Sequence, residues 1–500
     1  MDRTGRKGSK MIEAKRPKLE LLSPAFIGKI VDEGFILLER HGVMVENAEA
    51  LKLLGDAGAA IDKAGQRAYP GRALIEACLA STPATIELRD RRGARAYTVG
   101  GDEVHFDPGS AAVTMLDHAT QSERRAATPD VVAFYKLVET LDNFHFQSTG
   151  LIASDVPAAV TDAYRLYLGL CLSEKPFVTG TFRVEGFQPM KDMLAAVRGS
   201  EDGLRRMPMA IFDACPSPPL KWSNLTAQSL IDAARAGLPS ELIAMGMTGA
   251  TSPATIAGTL VQIVAENLCG LVICQLARKG APVIFGGSPS SFDMRKGTTP
   301  MGAIETMMID AAYAQIGKSL KLPTHAYMAL SDAKLNDPQA GFETALGAAI
   351  GALAGINVIS GPGMLDFESA QSFEKLVIDD GICAMVYRLL AGIAQRDEPI
   401  ALGAFEGFAA GMSFLSHPHT RQWYRKEHIL PGLVDRDPYD AWVAAGRTSI
   451  VDKAHADVAR RLEKYAAPPL DGAVRKELDR IMAAYGRSAG IEALPLPTGF

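Results

Sequence analysis

From Thr128 onward the chain alternates short apolar runs with longer amphipathic stretches. The runs are "FHFQSTG" (144–150), "KPFVTGTF" (175–182), "MPMAIFDAC" (207–215), "ELIAMGMTG" (241–249), "APVIFGGS" (281–288), "LPTHAYMAL" (322–330) and "INVISGPG" (356–363). Each is separated from the next by a helical segment of about 12–25 residues. Strands that read as near-continuous apolar runs are buried on both faces, and their alternation with helices predicts a parallel sheet. The repeat and the length favour an α/β fold of the closed (β/α)8, or TIM, barrel type. Seven strands are clear. An eighth comes either from "SFLSH" (413–417) or from a strand of the β-rich region before Thr128. An open doubly wound sheet is the competing arrangement, but no GxGxxG follows the first strand and the units show no reversal point.

Upstream, Ser23-Pro24 reads as a helix N-cap followed by proline at the first helical position. Ile27, Ile30, Val31, Phe35, Leu37 and Leu38 then form an apolar stripe that ends at His41-Gly42, and a short helix is expected over 47–56. Residues 85–116 break into short runs divided by Gly, Asp and Pro, a small β-rich extension. The expected organisation is a disordered basic arm (1–18), a helical and β-rich extension (19–127), the barrel (128–434) and a C-terminal helical tail (435–500).

Composition narrows the classes. The formal net charge is −5, so no global basic field exists to hold nucleic acid. The basic arm is followed by no apolar core of a signal peptide. The most apolar stretch, 256–277, contains Glu266, Asn267 and two glutamines, which suits a buried barrel helix better than a membrane span. A cytoplasmic protein without membrane attachment is expected. The six cysteines form no CxxC pair, which argues against zinc clusters and disulfide frameworks. No P-loop, GxSxG elbow or HExxH is present.

Barrel enzymes place their sites at the C-terminal ends of the strands. Those ends offer Ser148, Thr179, Thr181, Asp213, Thr248, His325, Tyr327, Ser331, Asp332 and Ser360. In "MTGATSPATIAG" (247–258), Thr251 or Ser252 is expected to open a helix with Pro253 in its first turn, and the N–H groups near Gly249 and Ala250 could hold an anion. Gly286 and Gly287 permit close backbone approach or merely make a turn. Lys334 could act as a Schiff-base nucleophile, although Asp332 and Asp337 nearby favour its charged form. His417 and His419 alone make a poor metal site, and no metal is expected. His41, His105, His118, His428 and His455 read as surface or capping residues.

Five blocks in this order resemble the trimethylamine methyltransferase family, in its branch lacking pyrrolysine. They are "LLERHGVMVEN", "MTGATSPATIAGTLVQIVAE" (247–266), "SDAKLNDPQAGFE" (331–343), "GPGMLDFESAQSFEKLVIDD" (361–380) and "HPHT" (417–420). The resemblance implies a barrel whose mouth binds a methylated amine, and a small separate corrinoid (cobalamin) protein whose Co(I) takes the methyl group. It also implies a homo-oligomer. With no pyrrolysine, a quaternary amine is the expected donor: glycine betaine, proline betaine, carnitine or γ-butyrobetaine. A betaine pocket needs aromatic faces for the alkylammonium and donors for the carboxylate. Phe182, Phe212, Phe285 and Tyr327 are the candidate aromatics. His325, Gly249, Ala250, Gly286 and Gly287 are the candidate carboxylate ligands, with Ser331 and Asp332 beside them; no catalytic residue is assigned. Two other readings stand beside this one: a Schiff-base aldolase or lyase using Lys334, and a non-catalytic protein that binds a betaine or the corrinoid protein.

Overall fold

The computed structural model describes residues 11–407, 409–430 and 432–496. Eight parallel strands close into a barrel. They are β1 (His105–Asp107), β2 (Gln147–Ser148), β3 (Phe177–Thr179), β4 (Ala210–Ala214), β5 (Ser240–Ala244), β6 (Val283–Gly287), β7 (His325–Tyr327) and β8 (Val358–Ser360). Ladders join β2 to β3, β4, β5 and β6 in order, and join β7 to β8 to β1. Single parallel bridges, Phe285 to Thr324 and Phe106 to Phe144, close the two remaining seams. All seven expected strands are present. The eighth is "VHFD" from the β-rich region, so the barrel begins before residue 128, whereas "SFLSH" folds as a short 3₁₀ turn at Phe414–Ser416. The sequence hid this strand because its two neighbours in space, β8 and the 144–148 segment, lie far from it along the chain.

Eight helices follow the strands: α1 (Thr128–Glu139), α2 (Thr161–Leu172), α3 (Phe187–Arg198), α4 (Asn224–Ala236), α5 (Ile256–Ala277), α6 (Ile304–Ser319), α7 (Pro338–Ala354) and α8 (Phe373–Leu390). Helix α5 is long and apolar enough to cross a membrane, yet 78% of its most apolar window is buried within the fold. It opens later than expected, at the N-cap Thr255. The hydroxyls of Thr251 and Ser252 are used inside the preceding turn, on Met247 N and Thr259 Oγ1. The N-terminal helix runs Pro24–His41 as its cap predicts, with Ser23 Oγ accepting from Phe26 N. Part of the basic arm is anchored: Lys18 pairs with Asp102 at 2.6 Å, and Leu19 N donates to the Leu353 carbonyl. Residues 1–10 of that arm lie outside the described residues.

The N-terminal mouth of the barrel is stoppered by an antiparallel hairpin, Thr85–Arg89 with Ala96–Gly100. Ile86, Leu88, Tyr97 and Val99 alternate onto one face. They form a single apolar cluster with Phe146, Val178, Ile211, Ile284 and Val358 from the barrel floor. Period-two patterning thus selects which hairpin face enters the barrel. With that end sealed, ligands reach the interior only from the C-terminal face. At the far end of the chain, helix Ile450–Lys464 and helix Gly472–Ser488 wrap the outside. Tyr167 Oη donates to Asp479 at 2.7 Å, and Tyr485 Oη donates to the Ala159 carbonyl.

Leu88 is fully buried in the stopper. Leu88→Ala is expected to cost about 2–4 kcal/mol through lost transfer energy and an unfilled cavity, read as a lower urea midpoint with native near-UV circular dichroism retained.

Candidate active site

Strand register decides which side chains enter the barrel. Val178 and Ile211 pack on the stopper, so two residues further along β4 Asp213 also faces inward. Asp213 registers with Glu241, and Ser360 registers with both Tyr327 and Asp107. Above an apolar floor the barrel therefore carries a polar layer of Asp107, Asp213, Glu241, His325, Tyr327 and Ser360.

These groups form two linked sets. Ser360 Oγ donates to Asp107 Oδ1 at 2.8 Å and lies 3.1 Å from His325 Nε2. Since the serine proton is committed to Asp107, His325 donates from Nε2, which leaves Nδ1 as a bare lone pair. Burial pushes the His325 imidazolium down to about 3, so the ring is neutral. Glu241 Oε1 lies 3.2 Å from His325 Nε2. In the second set Tyr327 Oη is 2.9 Å from Ser110 Oγ and also reaches Asp213.

A fourth carboxylate, Glu368, comes from the β8–α8 loop. Asp366, Phe367 and Glu368 have φ of 47°, 53° and 71°, three consecutive non-glycine residues in the left-handed region. Each costs roughly 1–2 kcal/mol relative to ordinary backbone, and such outliers persist only when their surroundings over-determine them. Here they do. Lys334 Nζ sits 3.1 Å from Asp366 Oδ1 and 3.7 Å above the Phe367 ring, and Asp366 N donates to the Ala333 carbonyl. Gly363 N donates to Asp379, which is itself paired with the buried Lys375 at 2.6 Å. The turn drives the Glu368 carboxylate inward, where Ser110 N donates to it and Asp213 and Asp107 repel it.

Burial raises Asp107, Glu241 and Glu368 well above the usual carboxylate range, and raises Asp213 to about 6. Among the described residues the cation beside this group is Arg165, from α2, which faces Asp213. Its Nη1 donates to the Thr149 carbonyl and its guanidinium stacks 4.5 Å from the Phe182 ring. Several polar atoms here have no hydrogen-bond partner among the described residues: Asp107 Oδ2, both Glu241 oxygens, Glu368 Oε1, His325 Nδ1 and Arg165 Nε. Buried polar groups are almost always satisfied, so this concentration marks a ligand's place. A cavity of about 160 Å³ opens beside them, lined by Ser110, Thr149, Arg165, Phe182, Asp213 and Cys215.

The trimethylamine methyltransferase family model matches residues 2–490. This chain belongs to that family. Among relatives, the trimethylamine methyltransferase MttB of Desulfitobacterium hafniense (strain DCB-2) is 30% identical, over 89% of this chain and 90% of its own length. The glycine betaine methyltransferase of Desulfitobacterium hafniense (strain Y51) is also 30% identical, over 95% and 99%. The crystal structure of the Methanosarcina barkeri monomethylamine methyltransferase MtmB has the same fold, with a TM-score of 0.54 at 11% identity over 90% of each chain. Membership of the trimethylamine methyltransferase family makes the chain a methyltransferase with relatives that act on methylated amines.

Against this family frame, the expected site residues divide. His325, Tyr327 and Phe182 stand at the interior cup. Phe212 and Phe285 do not: they occupy the alternate register, Phe212 against Phe187 and Phe285 against Tyr313, between barrel and helices. Gly249 N and Ala250 N are spent within their own turn, on the Ser252 and Met247 carbonyls, and hold no free donor for an anion. Gly286 and Gly287 lie in the ladder with Ile243 and Ala244. The contribution of Gly286 is its missing side chain, since a Cβ there would come within 3.1 Å of the His325 ring. Ser331 donates to Glu343 at 2.6 Å, and Asp332 accepts from Met301 N and Gly302 N, so both tie loops together. Lys334 is clamped to the left-handed turn, with Nζ on Asp366 Oδ1 and the Asp332 carbonyl, away from the interior cup. His417 and His419 sit outside the barrel, His419 against Asp397 at 3.2 Å.

Asp107, Glu241, Glu368 and Arg165 escaped the strand-end reading. Their signal was a lone charge inside an apolar run, as in "AYRLYLGLCL" or "ELIAM", which a filter on strand termini passes over.

Glu241 has a folded-state carboxyl that keeps its proton to a higher pH than the unfolded one, so through this group stability falls as pH rises above the ordinary carboxylate range. Glu241→Gln is expected to flatten that fall and raise Tm at neutral pH, measured by scanning calorimetry across pH. Because Asp213 ionises near pH 6, affinity for a cationic ligand should strengthen as pH rises through that value, measured by titration calorimetry.

Proposed function

We propose that the protein transfers a methyl group from a small betaine to the Co(I) corrinoid of a separate protein docked on the barrel mouth, working in the cytoplasm. The observation that carries this reading is the enclosed cup of four carboxylates and one arginine, with unpartnered atoms of both signs. A zwitterion with a quaternary ammonium at one end and a carboxylate at the other complements it. The carboxylate meets Arg165, which lines the cavity. The alkylammonium meets Asp213, Glu368 and the faces of Phe182 and Tyr327. The cavity, at about 160 Å³, suits glycine betaine better than its longer relatives. Arg165 takes the role that the sequence reading gave to backbone donors at Gly249 and Gly286.

The chemistry asks little of the protein beyond position and field. When the methyl group leaves, its C–N bond pair stays on nitrogen, which becomes a neutral tertiary amine; no proton is required. The carboxylates hold the cation with one N-methyl toward the open face, and the apolar floor and stopper exclude water from below. The corrinoid supplies the two-electron nucleophile. Around the open face, Val113, Phe182, Met245, Met294 and Leu335 project from five different strand-to-helix loops as exposed apolar side chains. Such a rim suits docking of a protein partner. Self-association has support of its own: an extended arm after α8 exposes Ile393 (91%), Leu402 (73%) and Leu415 (90%), beyond what an isolated chain keeps in water.

Incubation with Co(I) cobalamin and a donor panel is expected to form methylcobalamin with glycine betaine, followed by its visible spectrum. Absence of methylcobalamin with every quaternary amine would leave a binding protein as the better reading. Arg165→Gln should raise KM for glycine betaine about 10–100-fold, the worth of a charge-assisted hydrogen bond, and leave turnover of tetramethylammonium, which has no carboxylate, unchanged.

A further inference from the structure

A second polar cluster lies on the rim of the barrel, away from the cup. His118 sits in the turn between strands Thr114–Asp117 and Ser122–Arg125, within the connection from β1 to α1. Glu374 is the second residue of α8, and His455 lies on the C-terminal helix Ile450–Lys464. The two imidazoles stack with centroids 3.9 Å apart and planes 10° from parallel. Both address one oxygen: Glu374 Oε1 is 2.8 Å from His455 Nδ1 and 3.9 Å from His118 Nδ1.

The carboxylate is held for this purpose. Ser372 Oγ accepts from Lys375 N and Asn336 Nδ2, so its proton goes to Glu374 Oε2 at 3.1 Å. That fixes the plane of the group and turns Oε1 toward the imidazoles, as a hydrogen-bonded outer residue orients a metal ligand. Glu374 is 5% exposed, and no lysine or arginine pairs with it among the described residues. A buried carboxylate is stabilised in its ionised form by a cationic partner. Asp452, one turn before His455, stands within electrostatic reach of both rings and adds a second negative charge. Imidazoles bind metal ions as neutral ligands, so the charge of two carboxylates balances a doubly charged ion.

We propose that His118, Glu374 and His455 bind a divalent transition-metal ion, zinc by its preference for two imidazoles and one carboxylate. The candidate ligand atoms lie within 4.8 Å of one another. Tetrahedral zinc holds its ligands about 3.3 Å apart, and rotation of the two rings closes that difference. Both rings are partly exposed, 26% for His118 and 53% for His455, which leaves room for that rotation, while Ser372 holds Glu374. The ion joins three segments distant in sequence and fastens the C-terminal helix to the mouth of the barrel.

The test uses the tag-free full-length protein, stripped with chelator and equilibrated with zinc. About one zinc per chain is expected by mass spectrometry, with Tm rising as free zinc rises. Cobalt(II) in its place should give the visible bands of a low-coordinate site. His455→Ala, an exposed position that leaves folding intact, and His118→Ala should each weaken zinc binding at least about tenfold and abolish the Tm response, while His428→Ala behaves as wild type. Failure of the wild-type chain to retain zinc, or equal retention by His455→Ala, overturns the proposal and leaves a protonated imidazole as the partner of Glu374.

Discussion

The interior of this protein gathers four carboxyl groups whose burial holds their protons on above the ordinary carboxylate range. Asp107, Asp213, Glu241 and Glu368 lie together in the closed barrel, and Arg165 stands beside one of them, Asp213. Burying one carboxylate is costly and burying several together is more so. Such an arrangement survives because the surrounding scaffold is stable enough to bear its cost. The positions of these groups are set by the scaffold, which is the kind of preorganisation that makes electrostatic catalysis effective.

Everything around the cup serves to hold that arrangement. The hairpin stopper removes water from one end. Gly286 leaves room for His325, and Gly180 does the same for Asp213, whose Oδ1 would lie 1.9 Å from a Cβ at that position. The left-handed turn at Asp366–Glu368 is held by Lys334, Phe367 and the Asp379–Lys375 pair. Residues that the family blocks bring to notice at 331–343 and 361–380 prove to be one assembly. They grip each other, and the product of the grip is the position of Glu368.

The barrel was legible because its strands are buried on both faces, and an apolar run between helices leaves few alternatives. The first strand was not, since one of its two neighbours, β8, lies about 250 residues further along the chain. Within the site, alternation along a strand decides inward from outward, and a shift of one residue exchanges them. Phe212 and Phe285 were misplaced for that reason, although their neighbours Asp213 and Gly286 face the interior. Tyr327 and His325 fall in one strand on the same face, so alternation places both inward together. Arg165 reaches the cup from a helix and Glu368 from a strained loop. Neither position follows from a periodicity.

The placement of β1 has a consequence for how the chain reaches this state. The strand is made early, at residues 105–107, yet its partner β8 is the last of the eight, at 358–360. During synthesis the stopper hairpin and β1 must wait while some 250 residues emerge, with one strand edge unpaired. Non-local pairing of this kind is slow and exposes surface prone to aggregation. Ring closure is therefore a late event on the ribosome, and nascent chains truncated before residue 360 have no seam to lock.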